Sequence, residues 1–198
     1  MAELIADLFV TLDGYASGEN TEAFFGFSGP DLDARLREVL GEPQLVVMGR
    51  HTYLAMTTVS TQGTDEVSRR MNELPKAVVS NTLSEPLEWQ NTRLVTGDLT
   101  ASIRALKEIS AVPLRTIGSM ALVSSMMKFG LVDMLRLTIF PVTLGPDGRE
   151  PIYAGFPRGE FELASSQVLD SRLVTLEYRP MRQDPLGAGA HTSASTRR

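Results

Sequence analysis

Gln44-Leu45-Val46-Val47-Met48-Gly49-Arg50-His51-Thr52-Tyr53 is the stretch from which the fold can be read. Leu45 to Met48 is an uninterrupted apolar run containing Val46 and Val47, the pattern of a strand buried on both faces of a parallel sheet. Gly49 breaks the run, and Arg50 to Met56 can open a helix. Strand, glycine and helix N-terminus in that order make an anion site. The first-turn N–H groups lack intrahelical acceptors, and the helix dipole favours negative charge beside them. Gly49 lets the backbone approach a ligand, Arg50 offers a charge-assisted fork and Thr52 offers a hydroxyl. The plain alternative is a strand–helix junction whose arginine faces water, and the residues by themselves leave both readings open.

The same device recurs further on. Leu114-Arg115-Thr116-Ile117-Gly118-Ser119-Met120-Ala121-Leu122 is again apolar strand, glycine and helix. Two such turns at one end of a parallel sheet can jointly clamp a dinucleotide at the carboxyl ends of the strands. A Gly-x-Gly-x-x-Gly is absent, which disfavours a standard Rossmann site.

Around these two turns the chain alternates strands and helices. Glu3 to Leu12 reads as the first strand, closed by Asp13-Gly14, and Asp13 has the composition of a turn residue bonding its own backbone. Residues 14–30 form a long loop with Phe24-Phe25-Gly26-Phe27, an apolar cluster that either lines a pocket or plugs the core. Pro30 and Asp31 start a helix to about Leu40, with Leu32, Leu36, Val39 and Leu40 on one face, stopped by Gly41 and Pro43. Residues 57–72 read as polar and irregular. Pro75 to Asn81 is a strand whose end, Ser80-Asn81-Thr82, suits a turn or a polar contact. Thr92 to Gly97 is another, and Asp98 caps a helix over Leu99 to Glu108. Leu122, Val123, Met126 and Met127 form the apolar face of the helix after Ser119, Met134 to Val142 is a strand, and Phe161–Leu169 with Leu173–Arg179 make a hairpin across Asp170-Ser171. The expected class is α/β: a mostly parallel central sheet with flanking helices and a C-terminal antiparallel hairpin over residues 1–180. Residues 181–198 carry almost no large apolar side chain and are expected to be a disordered tail.

Composition excludes several functions. The net charge of −5 argues against a general nucleic-acid or anionic-membrane surface. No apolar run approaches a membrane span, no signal peptide is legible, and the absence of cysteine makes a cytoplasmic location the default. Only His51 and His191 are available for histidine-dependent chemistry, so neither a Ser-His-Asp site nor a histidine metal site is expected. His51, at a helix start, is read as a solvated residue rather than a general base.

Met48-Gly49-Arg50-His51-Thr52-Tyr53 resembles the Gly-Arg-x-Thr-aromatic motif of dihydrofolate reductases, and Val10-Thr11-Leu12-Asp13-Gly14 resembles the Ser-Leu-Asp-Gly signature of riboflavin-type reductases. Ile117-Gly118-Ser119 resembles the Ile-Gly-Gly segment of the former, and Pro141-Val142-Thr143-Leu144-Gly145 their Pro-Val-x-Leu-Gly. The resemblance covers roughly residues 3–180. It implies a dihydrofolate reductase-like fold, NADPH as cofactor, hydride transfer to a small-molecule substrate, and a homodimer. By the same resemblance Gly49, Arg50, His51 and Thr52 would hold the phosphates, and Ile117, Gly118, Ser119, Met120, Ala121 and Leu122 the pyrophosphate. Ser80, Asn81 and Thr82 would face the adenosine 2′-phosphate, and the backbone near Phe9 and Val10 the carboxamide. Asp33, on the first helix, falls where folate reductases carry the acid that serves the pterin. Asp33, Asp13 or water are the candidate proton donors, and Phe25, Phe27 and Thr116 the candidate substrate contacts. The second glycine of the Ile-Gly-Gly segment is Ser119 here, and Thr116 stands where riboflavin-type reductases have a glutamate.

Overall fold

The structure is a computed structural model describing residues 1–181. In chain order its elements are β1 (Leu4–Thr11), β2 (Tyr15–Gly18), α1 (Pro30–Gly41), β3 (Leu45–Gly49), α2 (Arg50–Gln62), α3 (Glu66–Glu73), β4 (Lys76–Val79), β5 (Thr92–Val95), α4 (Leu99–Ile109), β6 (Leu114–Thr116), α5 (Met120–Lys128), β7 (Met134–Phe140), β8 (Gly148–Pro151), β9 (Phe161–Leu169) and β10 (Leu173–Pro180). Eight of the strands form one sheet in the order β5-β4-β3-β6-β1-β7-β10-β9. The run from β5 to β7 is parallel, and β10 and β9 close it antiparallel. This is the α/β sheet with a terminal hairpin that the alternation of patterns led one to expect.

Period-2 alternation on β1 divides the core. Leu4, Ala6, Leu8 and Val10 pack with Ile103 and Leu106 of α4 and with Val123 and Met126 of α5. On the opposite face Phe9 joins Leu32 of α1, Phe140, Leu169 and Leu173. Val46 and Met48 of β3, unbroken apolar as a doubly covered strand requires, meet Leu40, Tyr53, Met71 and Trp89 on that second face. Asp7 shares this face with a charged row. It pairs with Arg115 and lies 3.5 Å from Arg136, which in turn donates to Glu177 at 2.7 Å.

Two local expectations change. The long loop at 14–30 contains β2, which pairs with β8; that partner is more than a hundred residues away, so no local pattern announces it. Residues 57–72 are not irregular. The helix opened at Arg50 runs to Gln62, and α3 follows. Thr57 and Thr61 are absorbed because their hydroxyls donate to the carbonyls of Tyr53 and Thr57, at 2.7 and 2.6 Å. Asp65 caps α3 by accepting the Ser68 N–H at 2.9 Å. The hairpin turn lies at Asp170 and Ser171 as expected, both with left-handed backbone as a two-residue hairpin turn demands. Met181 donates its N–H to Glu160; the rest of the expected tail lies outside the described residues. No helix among those residues is long and apolar enough to cross a membrane.

Candidate cofactor site

β3 and β6 run side by side, Val47 opposite Thr116, and each delivers its glycine turn into a helix at the same end of the sheet. The connections leave in opposite directions, β3 toward β4 and β6 toward β7, so the junction is a switch point of the open sheet. There the two turns touch. The Gly49 N–H donates to Ser119 Oγ at 2.8 Å, and Ser119 Oγ donates to Thr52 Oγ1 at 2.7 Å. Gly118 has φ +57°, a left-handed backbone that glycine adopts without steric cost. A Cβ added to Gly118 would lie 3.6 Å from the Thr52 side chain, so the turns meet at contact distance. Gly49, Arg50, Thr52, Gly118 and Ser119, drawn from two distant stretches, are thus brought together.

The helix termini here differ from the others. Asp65 caps α3, Asp98 caps α4 by accepting the Ala101 N–H at 2.8 Å, and Asp170 reaches across from the hairpin to α1. No side chain caps α2 or α5. The first-turn N–H groups of both helices therefore open toward the shared junction, where an anion would satisfy them. Arg50 is exposed at the first position of α2, with Nη2 3.0 Å from His51 Nε2. Met120 and Leu122 bury their side chains in the core and Ile117 packs against Val46 and its neighbours, leaving only their backbones for a ligand. Ala121 is exposed.

Beside the turns the sheet opens. β1 pairs with β6 only through Leu4↔Leu114 and Ile5↔Arg115, yet continues to Thr11 alongside β7. Asp7 N–H donates to Thr116 Oγ1 at 3.2 Å, and beyond that point the β6-side edge of β1, at Phe9, has no strand partner. At the end of β4, Ser80 Oγ accepts the N–H groups of Thr82 and Leu83, at 3.1 and 3.2 Å. Asn81 Oδ1 accepts the Gly97 N–H at 2.7 Å, tying β4's end to that of β5, while Asn81 and Thr82 stay exposed.

Several candidates are placed otherwise. Thr116 is fully buried with its hydroxyl engaged by Asp7, so it does not face a substrate. Phe25 and Phe27, both half-buried, set their rings against Phe140 at 5.2 and 5.9 Å, the contact expected of a core plug. Asp13 accepts from the Thr11 hydroxyl at 2.5 Å and from the N–H groups of Leu144 and Gly145 at 2.9 and 2.8 Å. These bonds, the Thr11 hydroxyl first, hold its carboxyl below the ordinary value, and they tie the turn after β1 to the loop at Leu144 and Gly145. Asp31 accepts the Asp170 N–H at 2.8 Å, whereas the Asp33 carboxylate is exposed and carries no hydrogen bond among the described residues. Those residues hold no group of His, Asp and Glu able to bind a metal. The reading of single stretches missed that Ser119 takes up the Gly49 N–H; the only signal was a serine in a glycine's place.

Residues 2–175 match the family model of the RibD C-terminal domain. The uncharacterized protein YyaP of Bacillus subtilis (strain 168) is 25% identical over 181 residues, 88% of this chain and 93% of its own length. A candidate riboflavin biosynthesis protein from Shewanella sp. PV-4 superposes with a TM-score of 0.72 at 25% identity, over 92% of this chain and 100% of that one. The diaminohydroxyphosphoribosylaminopyrimidine deaminase/5-amino-6-(5-phosphoribosylamino)uracil reductase of Thermotoga maritima shares the fold at a TM-score of 0.65 and 16% identity, with 91% of this chain spanning 57% of that one. With nearly its whole described length matched, the chain belongs to the RibD C-terminal domain family, a family of reductases on a dihydrofolate reductase-like fold.

Proposed function

We propose that the chain is an NADPH-dependent reductase acting on a small heterocyclic or carbonyl or imine substrate. The observation that carries this is the meeting of two uncapped helix N-termini at Gly49 and Ser119, beside the unpaired edge of β1. The residues fit a dinucleotide. Gly49 and Gly118 present backbone without a Cβ, the first turns of α2 and α5 supply N–H donors for a diphosphate, and Arg50 supplies an exposed cation. Asn81 and Thr82 lie exposed at the next strand end, where a 2′-phosphate would pass. The cofactor, when bound, supplies the hydride. The protein would hold it at the glycine turns, with the backbone of Phe9 and Val10 beside its reactive end and the aromatic cluster around Phe9 and Phe24 behind. Asp33 is the acid left to deliver a proton, directly or through water, since Asp13 is committed elsewhere.

Loss of reduced-nicotinamide absorbance in the presence of candidate imine and carbonyl substrates tests the reading. Asp33→Asn is expected to lower turnover while leaving the Kd for NADPH within about twofold, the split expected of a group acting only in the chemical step. NADPH binding without oxidation by any substrate would instead favour a non-catalytic nucleotide-binding protein on the same fold, a reading supported by the exposure of Asp33. The proposal includes a homodimer, for which β9, exposed from Glu162 to Val168 at the sheet edge, gives the motive.

A further inference from the structure

We propose that Ser119 turns Thr52 into a one-way hydrogen-bond donor aimed at the bridging diphosphate of the cofactor. This rests on the NADPH reading of the site and adds to it Ser119 as a positioning residue. The three bonding groups have a direction. Gly49 N–H donates to Ser119 Oγ, and the Ser119 hydroxyl donates to Thr52 Oγ1. A hydroxyl has one proton to give. Thr52 has accepted, and its own proton has no partner among the described residues. Two of the threonines further along α2, Thr57 and Thr61, behave differently: each spends its proton on the carbonyl one turn back. Thr52 alone of these is held as an acceptor on its inner side, half-buried, between the uncapped first turns of α2 and α5.

Such a chain polarises outward. Each bond accepted makes the next hydroxyl a better donor, and the outer end suits an acceptor with no proton of its own, such as a phosphate oxygen. Ser119 maintains this at φ +60° and ψ 57°, a left-handed backbone that L side chains rarely adopt, at the position where the resembled Ile-Gly-Gly segment has its second glycine. A glycine there would leave the Gly49 N–H and Thr52 unlinked.

The test is NADPH affinity, by quenching of intrinsic fluorescence, for wild type, Ser119→Ala, Thr52→Val, Thr52→Ser and the Ser119→Ala/Thr52→Val double variant. A second ligand, 2′-AMP, has the 2′-phosphate but no bridging diphosphate. Thr52→Val is expected to weaken NADPH about ten- to a hundredfold, through loss of one bond to a charged acceptor, and Ser119→Ala about three- to tenfold. Thr52→Ser, which keeps the hydroxyl, should bind within about twofold of wild type. In the Thr52→Val background, Ser119→Ala should add less than about twofold, because the chain has lost its outer end. Affinity for 2′-AMP should not move in any variant. Equal penalties for Ser119→Ala in both backgrounds, parallel losses for 2′-AMP, or a Ser119→Ala protein binding NADPH as tightly as wild type would each overturn the proposal while the site reading stands. Wild type failing to bind NADPH overturns the site reading and the proposal together. Should Ser119→Ala not fold, the Thr52 pair still decides, since equal binding by Thr52→Val and Thr52→Ser overturns it.

Discussion

Asp170 Oδ2 accepts the backbone N–H of Leu32 at 3.0 Å, so the turn of the last hairpin caps the first helix. Its other oxygen accepts the N–H of Asp31 at 2.9 Å, and Asp31 returns the contact by accepting the Asp170 N–H at 2.8 Å. α1 has no cap from its own preceding residue, Gly29. Asp170→Ala therefore removes two capped donors at once. It is expected to cost about 1–2 kcal/mol and to lower Tm by roughly 2–8 °C, with NADPH affinity unchanged because the contact lies away from the glycine turns. Calorimetry and titration of the same preparation check both halves.

The charged row gives the stability a pH dependence with a definite sign. Burial pushes the Glu177 carboxyl up, but the Ser165 hydroxyl and the guanidiniums of Arg136 and Arg35 outweigh it and hold it below its ordinary value. The folded state thus binds this proton less readily than the unfolded chain. The stabilisation is complete above the ordinary carboxylate range and is lost as pH falls through the lowered folded value. Glu177→Gln should be less stable than wild type at neutral pH and should lose less on acidification. Urea midpoints measured from neutrality into the acid range would show the two curves converging; parallel curves would contradict it.

The edge of β9 is exposed from Glu162 to Val168, with Leu163 and Val168 in the open. Unpaired edges with apolar side chains invite cover by another chain. The expected species at micromolar concentration is a dimer, and light scattering giving the mass of a single chain would remove that expectation.

Gly118→Val tests the second turn independently of the first. The left-handed backbone at φ +57° penalises a β-branched side chain, and the added bulk meets Thr52. The expected outcome is a loss of about 1–2 kcal/mol in stability. NADPH affinity should fall in addition, seen by titration well below the melting temperature.

How much of this was legible beforehand follows from the range of the interactions. The strand–Gly–helix turns, the Asp98 cap and the Asp170-Ser171 hairpin depend on neighbours in the chain, and sequence patterns report neighbours. β2 depends on β8, and the capping of α1 depends on Asp170, so neither has a local signature. The site divided along the same line. Gly49 and Gly118 could be identified one stretch at a time, while their union through Ser119 could not. Residue type gives chemistry but not direction: the Thr116 hydroxyl turns into the sheet toward Asp7, and the Phe27 ring lies against Phe140.

Arg50 tests the central claim most directly. It stands exposed at the first position of α2, beyond a buried strand, where its loss leaves the core untouched. A charge-assisted bond to phosphate is typically worth about 1.5–3 kcal/mol, so Arg50→Ala should weaken NADPH roughly ten- to a hundredfold with Tm nearly unchanged. Fluorescence titration of wild type and Arg50→Ala reads this out. Wild type binding NADPH with the variant displaced by that factor is the expected result. Absence of binding by wild type at millimolar cofactor, or equal affinity of the two proteins, would contradict the assignment of the Gly49–Ser119 junction as the cofactor site.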